Sequence, residues 1–271
     1  HECFTQEEAI DKMKEGMFVQ IREGSAAKNF ESLIGLMGNY SDKIMLCSDD
    51  KHPNDLVKGH INEMIKRALE KGFDLIQILK SCTLNPIRHY KLDVGMLQLG
   101  DDADFIIIDN PSNFNVLKTY VRGQLIAENG KTLIPSVVES TPNLFVAKPI
   151  TLDDISVKVN NGKLKIIEAI DGQLITHLSY ADPLVKNNNV ISNLEQDILK
   201  MVVLNRYSPS KPAVSFIRGF GFKKGAIASS VAHDSHNIIA VGASDQEILE
   251  AINLIINEKG GVSWVKAGEN M

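Results

Sequence analysis

At 271 residues the chain is long enough for one large domain or two ordinary ones. Its 44% hydrophobic and 23% charged residues are those of a globular protein, and a formal charge of −5 argues against a binder of nucleic acid or other polyanions. Cys3, Cys47 and Cys82 show no paired spacing, so neither a disulfide framework nor a zinc-cysteine site is expected, and no apolar run approaches the ~18 residues of a membrane span. A reduced, cytoplasmic setting fits this usage. The chain opens on His1-Glu2 with neither an initiator Met nor a signal peptide, and we expect a piece of something longer.

In chain order, Thr5 caps a first helix with Glu8 three residues on, and Gly16 ends it after about Lys14. Met17 to Ile21 reads as a short strand leaving through Arg22-Glu23-Gly24-Ser25. A helix near Phe30 to Met37 follows. Ile44 to Cys47 is then a short apolar run, read as a buried strand that ends abruptly in Ser48-Asp49-Asp50, with Pro53 stopping any continuation. Strand, helix, strand with polar exits is the βαβ repeat of a parallel sheet. Asn54 to Lys71 has helical spacing at Leu56, Ile61, Met64, Ile65, Ala68 and Leu69. Asp74 caps a second helix, and Asn85-Pro86 opens a third short segment with His89 and Tyr90.

From Val94 the period changes. Phe105 to Ile108 is a strand, and Thr119 to Val121 and Gln124 to Ala127 flank a tight turn at Arg122-Gly123, with another at Asn129-Gly130. The Pro-containing stretch 135–149 reads as a linker. Beyond it, Val157 to Val159, Lys163 to Ala169 and Gln173 to Leu178 make a meander. Met201 to Leu204, Val214 to Ile217 and Ile238 to Val241 are further strands, and Asp245 starts a helix through Ile255. Gly219, Gly221 and Gly225 do not form a nucleotide fingerprint, having no helix directly after them.

Carboxylates at the carboxyl end of a buried parallel strand are where barrel and doubly wound enzymes keep catalytic groups, which singles out Asp49 and Asp50. Either can equally cap the helix that follows, and the two roles are compatible. His1 is a metal ligand or an ordinary histidine, its context lost. His52 and His60 read as structural or solvated. Arg22 and Ser25 are candidates for touching substrate, or plain turn residues. His233-Asp-Ser235-His236 binds a metal or polar ligand if helical, since positions three apart share a face, and is otherwise a polar turn.

Taken together, His1-Glu2, Ile21-Arg-Glu-Gly-Ser-Ala-Ala27, Leu46-Cys-Ser-Asp-Asp-Lys-His-Pro53, Gly59-His-Ile-Asn62, Thr83-Leu-Asn-Pro86 and His89-Tyr90 resemble the adenine deaminases of the amidohydrolase superfamily. Gly219-Phe-Gly221 and Ser229-Ser-Val-Ala-His-Asp-Ser-His-Asn-Ile238 are similar to that family's carboxy-terminal signature. The resemblance implies an α/β fold: the final part of a metal-dependent (β/α)₈ barrel at 1–92, a small β domain at 93–148 and an added α+β domain at 149–271. It implies a binuclear site for Mn²⁺, or Fe²⁺ or Zn²⁺, with His1 as the sixth-strand ligand. Asp49 becomes the eighth-strand aspartate that binds metal and moves protons, with Asp50 second to it.

The first-strand His-x-His, the fourth-strand carboxylate and the fifth-strand histidine of that family are absent, and its pattern runs on beyond Met271. We therefore expect an internal fragment, inactive alone, whose metal site is completed by residues outside this chain. The implied reaction is hydrolysis of adenine to hypoxanthine and ammonia in purine salvage, in a cytoplasmic homo-oligomer with no nucleic-acid or membrane partner. Arg22, Ser25, His233, Ser235 and His236 are the expected substrate contacts. The alternatives are another amidohydrolase acting on cyclic amides or N-acetyl groups, or a non-catalytic binding or assembly module over 150–271.

Overall fold

In a computed structural model the chain is described at every residue except Ala26, Glu139, Thr141, Pro142, 172–174, His233, Ala267, Gly268 and Met271. It divides into two compact units, residues 1–138 and 139–271.

The first unit begins with helix α1 (Gln6–Lys14), where Thr5 Oγ1 accepts from the N–H of Glu8 at 3.2 Å and satisfies one of the orphan donors of the first turn. Strands β1 (Val19–Arg22) and β2 (Ile44–Cys47) pair in parallel, Val19 opposite Ile44 and Arg22 opposite Cys47. The single helix expected between them is broken into α2 (Phe30–Leu33), a 3₁₀ turn at Ile34–Leu36 and α3 (Met37–Tyr40), as Gly35 and Gly38 favour. Val19, Ile21, Ile44, Phe30, Leu33 and Met37 are fully buried together. Each such side chain taken out of water is worth about 1.5–3 kcal/mol.

The helix expected from Asn54 to Lys71 is likewise two pieces, α4 (Pro53–Leu56) and α5 (Ile61–Glu70). The chain folds back so tightly between them that a Cβ on Gly59 would stand 2.3 Å from Glu63 Cγ. Helix α6 (Leu75–Cys82) is capped by Asp74, whose Oδ1 accepts from Gln77 N at 3.0 Å, and α7 (Leu84–Tyr90) follows. Asn85 fastens α7 to the start of β2 by donating to the carbonyls of Ser41 and Ile44, both at 2.8 Å.

An antiparallel sheet of β3 (Phe105–Ile108), β4 (Val116–Val121), β5 (Gln124–Glu128) and β6 (Lys131–Thr132) completes this unit. Its turns are the ones expected: Arg122-Gly123 and Asn129-Gly130 carry positive φ at both central residues, the twist a two-residue hairpin requires. Ile108 and Phe114 pack on the same core as β1 and β2.

The second unit is built on a mixed sheet. Its strands are β7 (Leu164–Ala169), β8 (Thr176–Ala181), β11 (Leu199–Leu204), β12 (Ala213–Arg218), β13 (Ala226–Ser229), β14 (Ile238–Gly242), β15 (Val262–Lys266) and β16 (Glu269–Asn270), with the hairpin β9 (Leu184–Lys186) and β10 (Asn189–Ile191) apart from it. Among the described residues the order is β16-β15-β13-β14-β11-β12-β7-β8, antiparallel except for β12 beside β7. Helix α8 (Asp245–Asn257) covers one face, laying Ile248, Ile252 and Ile255 over Ala226, Ala228 and Ala240. The small strand residues admit it closely; a Cβ on Gly242 would lie 2.6 Å from Ile248 Cγ1. Helix α8 starts at Asp245 as expected, and Ser244 caps it.

Much of the stretch expected as a linker belongs to this unit. Val146 N donates to Arg206 O at 2.7 Å, Asn143 Nδ2 donates to Lys259 O at 3.0 Å, and Phe145 and Ala147 pack on its core. Val157 to Val159 is not a strand; Lys158 alone bridges to Asn189. None of the described helices is long and apolar enough to cross a membrane.

Lys200 is fully buried, its ammonium on Asp245 Oδ2 at 2.7 Å and Ile155 O at 3.2 Å, while the Asp245 side chain keeps 24% exposure. Removing the partner of a buried charge costs about 3–5 kcal/mol, whereas an apolar replacement of the charge itself is often neutral. Asp245→Ala is therefore expected to lower the urea midpoint of this unit far more than Lys200→Met. Equal losses from the two would show that the pair is not what fixes this corner.

Candidate functional site

The parallel pairing of β1 and β2 brings two strand exits side by side. Arg22 ends β1, and two residues past Cys47 the chain turns at Asp49, whose φ is +46°. Aspartate enters this left-handed region more readily than most residues, and non-glycine residues held there cluster at functional sites. Arg22 is 5% exposed. Its Nη2 lies 2.6 Å from Glu2 Oε2 and its Nη1 3.4 Å from Asp49 Oδ1. Burial works to raise the Asp49 pKa, but the N–H of Asp50 and the charge and hydrogen bond of Arg22 outweigh it and hold the carboxyl below the usual aspartate range. Asp49 is thus an anion at neutral pH with part of its side chain open to solvent.

Asp50 is placed differently. Its Oδ1 is buried with no hydrogen-bond partner and lies against Gly24, where a Cβ would stand only 2.0 Å away. Glycine at 24 leaves room for this carboxylate. Arg22 Nε is also buried without a partner. His1 runs along the other edge of β1: its amino group donates to Phe18 O at 2.7 Å and its carbonyl accepts from Gln20 N at 2.8 Å. Bonds to the residues on either side of Val19 are those of a parallel neighbour. His1, Arg22 and Asp49 therefore stand on three successive lines of one parallel arrangement.

Ser25 is not free for a ligand. Its hydroxyl donates to Asp55 Oδ2 at 2.6 Å and accepts from His52 N at 2.9 Å, latching the loop after β1 to that after β2. His60 Nε2 sits 2.9 Å from Ser48 Oγ, at the start of the same loop. Asn29 carries no motif signal, yet it is buried and ties the site together. Its Oδ1 accepts from Arg22 N at 2.7 Å, and its Nδ2 donates to Cys3 O at 3.1 Å and Gln20 O at 3.4 Å.

The donors present are of a kind a divalent cation accepts: an anionic carboxylate at Asp49 and a buried carboxylate oxygen without a partner at Asp50. Among the described residues, however, no three His, Cys, Asp or Glu side chains converge on a metal-sized site. These residues fit part of a metal site and not a whole one.

The remaining candidates lie in the second unit. Between β13 and β14, Asp234 and Ser235 lie in a turn, and Asp234 and His236 have positive φ, so these described residues present no helical face. Ser235 and His236 are exposed there, with His236 N donating to Ala232 O at 2.6 Å; His233 lies outside the described residues. The glycine-rich loop is equally not a phosphate cradle. Asp197 accepts from the N–H groups of Gly219 at 2.9 Å and Gly221 at 2.7 Å, filling the donors an anion would need.

The first unit also holds an apolar cleft of about 700 Å³ among Leu79, Leu84, Met96, Phe105 and Phe114. No candidate catalytic or metal residue lines it.

Comparison with known proteins agrees with this division. The amidohydrolase family matches residues 6–126, and the adenine deaminase C-terminal domain matches residues 173–271. The chain is 46% identical to the adenine deaminase of Methanosarcina mazei, over 100% of this chain and 51% of the relative. It is 45% identical to that of Salinibacter ruber and 47% identical to that of a Sulfurovum species, each over 99% of this chain and 49% of the relative. The chain thus spans about half the length of the curated relatives it matches.

Replacing Asn29 by Ala strips the buried N–H of Arg22 of its acceptor. An unpaired buried donor costs about 1–3 kcal/mol. Urea denaturation should show a loss of that size in the first unit, and an unchanged midpoint would refute the role given to Asn29.

Proposed function

We propose that this chain, similar along its whole length to adenine deaminases, is the later part of a metal-dependent enzyme that hydrolyses adenine to hypoxanthine and ammonia. The observation that carries the reading is Asp49, an ionised, part-exposed carboxylate turned out at the end of a parallel strand inside the amidohydrolase match. The match of residues 173–271 favours adenine over the cyclic amides and N-acetyl groups of other amidohydrolases, and over a free-standing binding module. On this reading residues 1–92 close a (β/α)₈ barrel, 93–148 form a small β domain, and 149–271 are the added domain. A cytoplasmic homo-oligomer acting in purine salvage belongs to the same proposal.

The reading implies a divalent metal, Mn²⁺ with Fe²⁺ or Zn²⁺ as alternatives, held in part by His1 and Asp49 and otherwise by residues outside this chain. Such an ion, when bound, lowers the pKa of a water toward ~7 and so provides a nucleophile at neutral pH. The proton work falls to Asp49. Its carboxylate accepts the proton of the attacking water and returns it to the departing nitrogen, so that the bond from C6 to the amino group breaks as ammonia leaves. The oxygen of the water becomes the 6-oxo group of hypoxanthine, and the water's second proton ends on ring nitrogen N1, next to C6. The carboxyl must be ionised to begin this cycle, which the Asp50 N–H and Arg22 favour. A neutral purine is oriented by hydrogen bonds along its edge, and Ser235 and His236, with His233, are the groups proposed for this in the second unit.

The test is ammonia release from adenine by the full-length protein loaded with Mn²⁺. Asp49→Asn should lower kcat by about 10²–10⁴-fold, the span of general acid–base contributions. A folded, metal-loaded protein that releases no ammonia from adenine would sink the reading. His236→Ala should raise KM or lower turnover, and unchanged kinetics would remove that residue from the site.

A further inference from the structure

We propose that Arg22 is a positioning residue that holds Asp49 in its working geometry, braced from behind by Glu2, and that it does not contact the substrate. This rests on the reading of Asp49 as the group that moves protons.

Four observations carry it. Arg22 is 5% exposed, and the cost of burying a guanidinium is offset only by anionic partners; here these are the carboxylates of Glu2 and Asp49. The two contacts are unequal. At 2.6 Å the ion pair with Glu2 is close, while the hydrogen bond to Asp49 Oδ1, at 3.4 Å, is long and single. A fork on both oxygens of Asp49 would lock them; one loose contact orients the carboxylate and leaves Oδ2 outside the pair. Third, Arg22 Nε is buried with no acceptor, so the head is placed by its two carboxylates and not by satisfying all of its donors. Fourth, the backbone beneath it is fixed: Asn29 accepts from Arg22 N and donates to Arg22 O, at 2.7 and 3.1 Å. The same side chain donates to Cys3 O, next to Glu2, so one buried amide holds both the arginine and its brace.

The sequence alone left Arg22 as a candidate substrate contact, and the two readings separate kinetically. Loss of a substrate contact raises KM, whereas loss of an interaction that matters only during proton transfer lowers kcat. In the full-length Mn²⁺ protein, Arg22→Met should lower kcat for adenine by about 100-fold. KM and metal content should stay near wild type. Arg22→Lys, which keeps the charge without the fork, should recover part of that loss. Glu2→Gln should give a smaller loss in kcat, and the double variant should be no worse than Arg22→Met alone, because Glu2 acts through Arg22.

A raised KM with unchanged kcat would overturn the proposal, as would additive losses in the double variant or loss of metal alongside kcat. If Arg22→Met does not fold, Arg22→Lys and Glu2→Gln carry the same comparison. If the wild-type protein does not act on adenine, the functional reading fails by itself. Positioning is then judged from crystal structures of wild type and Arg22→Lys: Asp49 leaving its left-handed conformation supports it, and an unmoved Asp49 refutes it.

Discussion

A guanidinium taken out of water must be met by anions, and Arg22 imposes that condition on everything around it. Glu2 comes from the segment before α1 and Asp49 from the turn after β2, and the parallel register of β1 and β2 brings them to one place. Gly24 leaves room for the Asp50 carboxylate, and Ser25 latches the two loops through Asp55. The local backbone follows from a charge that cannot be left alone.

This explains what the sequence did and did not make legible. Strands β2 and β3 have the bounds that their apolar runs predict, and Asp74 caps α6 as its position predicts, because these signals are local. Asp49 was legible for the same reason: a carboxylate directly after a buried run stands out. The partnership of Arg22 with Glu2 was not, since a pair twenty residues apart is made by tertiary packing. Asn29 was invisible because its side-chain bonds go to backbone groups that have no sequence signature. Ser25 and Arg22 stand out locally as possible substrate contacts, whereas the Ser25 hydroxyl is bonded to Asp55 and His52 and the Arg22 head is paired with Glu2 and Asp49.

In the second unit two strands carry little sequence signal. β13 is Ala-Ile-Ala-Ser, and its inward alanines carry little hydrophobic signal although their small size is what lets α8 settle on the sheet. β15 turns Ser263 inward, where its hydroxyl donates to Ala251 O at 2.7 Å, so the apolar alternation expected of a strand is interrupted by a polar residue whose bond is satisfied. The helical reading fails at Asp234 and His236, which adopt left-handed backbone that a helix excludes.

The two units also carry different built-in reporters. Cys3, Cys47 and Cys82 all lie in the first, and burial pushes each thiol above its ordinary pKa, that of Cys82 to about 12. Thiolate is the reactive form, so these groups resist alkylation while the unit is folded and become reactive when it opens. The single tryptophan, Trp264, stands on β15 in the second unit. Thiol trapping and tryptophan emission thus follow the opening of each half separately, in one unlabelled sample.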